Sequence, residues 1–123
     1  MISNLAKKTR KRLKRKRSIR KRVIGTTERP RMTVFRSLHH TYAQVIDDSS
    51  SKTLVSASTM DKELRDKVKG LKKAEAAEKV GELLAERCSK NSITKVVFDR
   101  NGYKYKGRVA QVAAAARKKG LSF

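Results

Sequence analysis

Apolar residues change their spacing along the chain, and each change marks an element. From Asp61 to Gly70 the sequence is a polar connection, with room for a helical turn. Lys72 to Lys90 then shows helical periodicity: Ala77, Val80, Gly81, Leu84 and Cys88 share one face, with Ala76 and Leu83 beside it. Glu75, Glu78, Glu82 and Glu86 fall towards the outside with Lys79 and Arg87. A second helix is predicted from Gly107 to Lys119, with Val109, Val112, Ala113 and Ala116 inward. Gly120 suits its C-terminal stop, and Leu121 and Phe123 are placed to pack back on the body. "MTVFRS" (Met32 to Ser37) and "TYAQVI" (Thr41 to Ile46) are rich in strand formers and separated by "LHH", a hairpin pattern. Pairing Phe35 with Ala43 sets Arg36 opposite Tyr42 and Val34 opposite Gln44. One face then offers Phe35, Ala43 and Val45 to a core; the other carries Arg36, Tyr42 and Gln44. "DDSSSK" is turn chemistry. "TLVSAST" (Thr53 to Thr59) reads as a third strand, and "TKVVFD" (Thr94 to Asp99) as a fourth, buried one.

The expected fold is a mixed α+β body: a small mixed sheet, three strands antiparallel and one parallel, with two helices on one face. A right-handed crossover from Thr53 to Asp99 sets the fourth strand parallel to the third. The second sheet face is left open, as either a solvated or a binding surface.

Positions 1–24 fit neither period. Leu5, Leu13, Ile19, Val23 and Ile24 stand alone among basic clusters. "KKTRKRLKRKRSIRKR" (Lys7 to Arg22) has twelve Lys or Arg in sixteen residues and no acid. Of the chain's net charge of +22, +13 lies in residues 1–31 and +9 in the other 92. Like charges at i,i+4 oppose a helix in isolation, so the pattern predicts a helix that forms, or is completed, on a polyanion. "GTTERPR" supplies Gly25 and the single proline as a hinge. The chain therefore divides into a basic arm, 1–28, and a globular domain, 29–123.

Charge and composition narrow the function. A run this dense needs a polyanion: nucleic acid, an anionic membrane surface or an acidic protein. The membrane is disfavoured, because the arm has no continuous apolar face and no Trp or Phe anchor. The longest apolar run, Val112 to Ala116, is far too short to span a bilayer. No apolar region follows the basic stretch as in a secretory signal. One cysteine rules out an intrachain disulfide framework and suggests a reducing compartment. A soluble cytoplasmic protein is expected.

Three stretches carry candidate chemistry. In the arm, Lys7, Lys8, Arg10, Lys11, Arg12, Lys14, Arg15, Lys16, Arg17, Arg20, Lys21 and Arg22 are candidate phosphate contacts, giving affinity without sequence choice and a steep salt dependence. Arg predominates, and its planar fork both pairs with phosphate and stacks on bases, which suits folded RNA. "RNGYKYKGR" (Arg100 to Arg108) joins a strand to a helix N-terminus, a natural anion site. Gly102 and Gly107 permit close backbone approach, Arg100, Lys104, Lys106 and Arg108 add charge, and Tyr103 and Tyr105 add flat surfaces. In "RSLHHTY", Arg36, His40 and Tyr42 are placed to meet RNA together. Adjacent histidines without further ligands make a poor metal site. Asp47 and Asp48, adjacent in a turn, point apart and are not a catalytic pair. Cys88 belongs to the core. No nucleophile–base constellation, P-loop or cofactor fingerprint is present, so neither an enzyme nor a cofactor is expected.

These residues also carry a family resemblance. "ERPRMTVFRS", "HTYAQVIDD", "LVSAST", "KVGELLAERC", "VVFDRNGYKYKGRV" and "AARKKGLSF" occur in order across nearly the whole body. The body resembles the L-eighteen family of bacterial large-subunit ribosomal proteins, which bind 5S rRNA. The resemblance implies a structural protein whose arm reaches into rRNA and whose body clamps 5S rRNA. It implies a place in the central protuberance, where 5S meets 23S rRNA and neighbouring large-subunit proteins, with no small-molecule substrate. By the same resemblance, RNA contacts fall on Arg31, Arg36, Ser37, His40, Tyr42 and Gln44 of the hairpin. They also fall on Arg100, Gly102, Tyr103, Tyr105, Gly107 and Arg108 of the loop. Asn101 stands where the family usually has Gly, Lys106 where His is common, and "SSSK" replaces a glycine-containing turn. Two rival functions fit the same residues: a general RNA packaging or chaperone protein dominated by its arm, and an RNA-modifying enzyme with a basic targeting arm.

Overall fold

The computed structural model describes residues 4–123, so the first three positions of the arm lie outside the described residues. The order is α1 (Asn4–Arg20), β1 (Arg31–Arg36), β2 (Thr41–Asp47), β3 (Lys52–Ser58), α2 (Lys73–Lys90), β4 (Val97–Asp99) and α3 (Arg108–Lys118). Each predicted element of the body is present, although the fourth strand is shorter than Thr94 to Asp99. Ahead of it, Lys95 bridges to Ser122, which ties the C-terminal residues to the sheet edge.

The four strands lie in the order β3-β2-β1-β4. β1–β2 and β2–β3 are antiparallel and β1–β4 is parallel. β4 thus runs in the same direction as β3, as the crossover predicts, but its neighbour is β1. The reason lies in polar pairing. Beside β1, Asp99 at the end of β4 comes within reach of Arg31, whose Nη1 donates to Asp99 Oδ2 at 2.9 Å.

The hairpin register differs from the expected one by a single residue. Phe35 pairs with Tyr42, Val34 with Ala43 and Met32 with Val45. A one-residue slip turns a whole strand over. The choice is decided by Met32 and Val34, both fully buried here, against Phe35 alone, which is 45% exposed. Phe35 therefore sits on the open face beside Tyr42. Arg36, expected on the open face, has the parity of Met32 and Val34. It escapes burial only because it ends the strand. A four-residue turn follows, in which Ser37 N donates to His40 O at 2.9 Å.

Met32, Val34, Ala43, Val45, Val55 and Ala57 form the sheet side of the core. α2 and α3 cover it with Ala77, Val80, Leu84, Cys88, Val109, Val112 and Ala116, the faces that the periodicity marks. Fully burying a side chain of this size contributes about 1.5–3 kcal/mol. Gly81 lets the helices meet closely: a Cβ there would strike the Val112 carbonyl. The connection after β3 also contributes, because Leu64 is buried and Val68 packs beside it. Among the described residues, no helix is long and apolar enough to cross a membrane.

Candidate nucleic-acid interface

The helix α1 is basic on all sides, and its docking is polar. Arg12, Arg15, Lys16, Ile19 and Arg20 are partly buried, at the i, i+3, i+4, i+7, i+8 spacing of one helical face. They meet the loop after β4. Arg12 Nη1 donates to Asn101 O at 2.9 Å and Arg15 Nε to Gly102 O at 2.8 Å. Arg20 Nε reaches Asp99 Oδ2 at 3.2 Å. The approach requires glycine at 102: its φ is +78°, and a Cβ there would collide with the Arg12 carbonyl. Asn101 has φ +54°, a conformation that Asn tolerates, so the loop keeps its path without the usual glycine. The Asn101 amide also donates to Val34 O at 3.1 Å, which fixes the loop on β1.

Asp99 is the anchor of this junction. Its carboxylate, fully buried, accepts from Arg20, from Arg31 and from the Asn101 backbone N–H at 2.8 Å. Arg31 also grips Asp48 with two bonds of 3.0 Å. That hydrogen-bonded pair raises the Arg31 pKa and lowers that of Asp48. Gly25 N donates to Asp48 Oδ2 at 2.7 Å and Thr27 Oγ1 to Asp47 Oδ2 at 3.0 Å. The two aspartates thus clamp the hinge as well as shaping the turn. Lys16 has its pKa lowered, by burial first and then by Arg20 and Arg12. Cations are crowded here beyond what nearby acids offset, a field that an incoming anion relieves.

Between α1, the end of β1 and the β4–α3 loop runs a groove of about 580 Å³. Lys8, Lys11, Arg12, Arg15, Arg36, Lys104 and Lys106 line it together with Thr9 and Tyr103, and no acid does. Tyr103 is its floor. The guanidinium carbons of Arg12 and Arg36 lie 4.6 and 4.7 Å from its ring centroid, and its hydroxyl donates to Arg36 O at 3.3 Å. Cation–π contact holds the planes of both forks against the ring, and both residues line the groove.

The other candidates are dispersed. Lys7, Arg10, Lys14 and Arg17 are exposed on the far side of the arm, and Lys21 and Arg22 are exposed in the turn that follows it. Arg31 is buried in its aspartate pairs. Arg108 Nη1 donates to Ser37 O at 2.9 Å and to His40 O at 3.2 Å, tying α3 to the hairpin turn. His40 Nδ1 lies 2.9 Å from Thr59 Oγ1. Tyr42 is half-buried and Gln44 exposed on the open sheet face. Arg100 Nη1 donates to Tyr103 O at 2.7 Å. Gly107, with φ +57°, precedes α3. Tyr105 stands 49% exposed at a separate corner, packed edge-on against Phe98. Cys88 is buried, its thiol pushed up to about 11 by burial, so it is no nucleophile at neutral pH. Among the described residues, no group of three or more His, Cys, Asp or Glu is arranged to hold a metal. Sequence reasoning left Phe35 out of the open face and did not foresee which arm cations turn inward. The first was legible in the Met32–Val34 alternation; the second depended on where the loop carbonyls fall.

The fold and the groove define a small, strongly basic α+β protein with a cationic groove lined by no acid. Its groove cations come from α1, from the β4–α3 loop and, in Arg36, from the end of β1. Comparison with known proteins makes this specific. Residues 6–123 match the family model described as ribosomal L18 of archaea, bacteria, mitochondria and chloroplast. The large ribosomal subunit protein uL18 of Thermotoga petrophila is 54% identical over 123 residues, covering 100% of both chains. That of Myxococcus xanthus is 55% identical over 112 residues, 91% of this chain and 94% of its own. That of Sorangium cellulosum is 58% identical over 110 residues, 89% of this chain and 92% of its own. The chain belongs to the ribosomal L18 family, a family of ribosomal structural proteins rather than enzymes.

Proposed function

We propose that this protein is a structural component of the cytoplasmic large ribosomal subunit that binds 5S rRNA. In this reading it helps to attach 5S to 23S rRNA in the central protuberance, among neighbouring large-subunit proteins. The observation that carries the RNA part is the groove: seven cations and a tyrosine, converging from three elements, with no acid among them. Such a site fits the paired phosphates and narrow turns of folded RNA better than a flat membrane surface. The choice of 5S rests on family membership.

Roles follow from placement. Lys8, Lys11, Arg12, Arg15, Arg36, Lys104 and Lys106 meet the backbone of the bound RNA. Lys7, Arg10, Lys14 and Arg17, on the outer side of the helix, and Lys21 and Arg22, in the turn after it, are free to meet a second RNA segment, such as 23S rRNA. Ser37, His40, Arg100, Gly107 and Arg108 belong to the turn and loop beside these contacts, Gly102 lets α1 dock there, Tyr42 and Gln44 offer a separate surface on the open sheet face, and Tyr105 another at its own corner. Arg31, Lys16, Arg20 and Tyr103 hold the surface in shape.

The test is binding of the full chain to 5S rRNA and to an unrelated structured RNA of similar length across a salt series. Preference for 5S should persist as salt rises, because shape-specific contacts lose less to counterions than bare charge does. Equal affinity for both RNAs at every salt would instead indicate a packaging protein.

A further inference from the structure

The open face of the sheet holds a feature that charge does not explain. Thr33, Phe35, Tyr42 and Gln44 line a hollow of about 320 Å³. Phe35 is 45% exposed and lies next to the half-buried Tyr42, so the hollow holds two adjacent aromatic rings. The Phe35 ring lies 5.8 Å from that of Tyr42 at an interplanar angle of 43°, so the two form an open notch, not a closed stack. Thr33 Oγ1 is the one buried side-chain polar atom without a hydrogen-bond partner among the described residues. Thr33 also lines the hollow. Gln44 adds an amide, donor and acceptor together, exposed at the opposite wall.

The surroundings determine what fits. On the β4 side, Thr33 is the register partner of Asp99, which Arg20 of the basic helix reaches. The lining itself comes from β1 and β2 alone, and α1 is linked to its β4 side through Asp99. On the other side, Tyr42 and Gln44 pair with Ser58 and Ser56, which are small and polar. An apolar protein segment would leave the Gln44 amide and the Thr33 hydroxyl without partners, beside a strongly positive helix. A nucleotide has the three properties required together: a flat apolar face, a hydrogen-bonding edge and a negative phosphate.

We propose that this hollow seats a single unpaired nucleobase. The base stacks on Phe35 within the Phe35–Tyr42 notch. Its edge meets Gln44 and Thr33, and its phosphate faces the basic helix. The ligand class is an unstacked base in a loop or bulge of RNA, distinct from the backbone segment assigned to the groove. The proposal rests on the RNA-binding reading above but not on the choice of 5S rRNA.

The chain contains no tryptophan, so Phe35→Trp places a single tryptophan in the hollow, excited selectively beyond the absorption of the three tyrosines. Titrating this full-length variant with a short single-stranded oligoadenylate should quench its emission. The quenching should persist at salt concentrations where a duplex RNA of the same length no longer binds. In parallel, Phe35→Leu should weaken oligoadenylate binding about tenfold while leaving the slope against log salt unchanged, because stacking releases no counterions. Phe35 is exposed enough for leucine to leave the fold intact, which a thermal melt checks. Emission that does not change, or a leucine variant that binds as the parent does at every salt, overturns the proposal. Quenching by the oligonucleotide without any preference for 5S rRNA would keep the base seat and remove the 5S assignment instead.

Discussion

At the scale of single residues, the most consequential side chain is a carboxylate that charge counting overlooks. Asp99 is one of eleven acids in a chain of thirty-three Lys and Arg. It is fully buried and receives two guanidinium groups and a backbone N–H. Removing it leaves Arg31 buried with only Asp48 to balance it, and breaking a buried pair in this way costs about 3–5 kcal/mol. Asp99→Ala should therefore lower stability by about 3 kcal/mol or more in denaturant melts, and loosen α1, because Arg20 then has no carboxylate to hold it. A destabilisation under about 1 kcal/mol would show that water replaces the carboxylate there. Three other aspartates are held low and shape the acid limit: Asp47 through its hydrogen bonds to Ser49 and Thr27, and two that pair with arginines. Asp48 is held below the ordinary value of 3.8 by its hydrogen bonds to Arg31, and Asp61 by those to Arg87. A depressed folded pKa gives stability that is fully present above the unfolded value and lost as pH falls through the folded one. Melts should therefore show no contribution to pH dependence from these pairs between pH 7 and 5, and a decline that begins near pH 4 and continues below it. Asp61→Asn should flatten part of that decline, and an unchanged acid limb in this variant would remove Asp61 from the account.

At the scale of elements, one glycine decides how two helices meet. Propensity alone favours alanine over glycine in a helix interior by about 1 kcal/mol. At Gly81 the packing opposes this, because a Cβ would strike the Val112 carbonyl and lie 2.9 Å from Ala115 Cβ. Forcing a methyl group into such a site costs about 1–3 kcal/mol through displaced backbone. Gly81→Ala should thus destabilise the chain despite its better propensity, read as a lower urea midpoint with an unchanged slope. A higher midpoint would show that α3 slides aside freely. The same elements show why some features are legible in sequence and others are not. Faces of α2 and α3 follow from periodicity because a helix buries one stripe against a sheet, and Val80, Leu84, Val109 and Val112 can lie nowhere else. Strand neighbours are set by partners far apart in sequence. β4 joins β1 through Asp99 and Arg31, a pair 68 positions apart that no local pattern announces. The register of β1 fell between these cases: the alternation of Met32 and Val34 signals it, but the bulk of Phe35 argues the other way.

At the scale of the whole molecule, the charge has a direction. In sequence, the arm shows only density. In three dimensions, Arg12, Arg15 and Arg20 face inward and each give one donor to a carbonyl or to Asp99, whereas Lys7, Arg10, Lys14, Arg17 and Lys21 recur at alternating three- and four-residue spacing along the opposite side. The candidate groove was half legible for the same reason. Its cations were visible as runs, but their convergence depends on the docking of α1 against Gly102. This separation yields a prediction about the division of labour. The outer stripe is exposed and faces away from the groove, so it should add affinity for any RNA without choosing among them. Changing Lys7, Arg10, Lys14, Arg17 and Lys21 together to Gln should reduce the slope of log affinity against log salt by up to about 0.7–0.9 for each phosphate that is no longer neutralised. The reduction should be the same for 5S rRNA and for an unrelated structured RNA, so the ratio of the two affinities should not move. Changing Lys104 and Lys106 to Gln removes fewer charges, and should move that ratio, because these two are held on the loop that shapes the groove. If the stripe variant changes the ratio as much as the loop variant does, the outer face is also reading RNA shape. The arm is then part of the recognition surface and not merely its source of attraction.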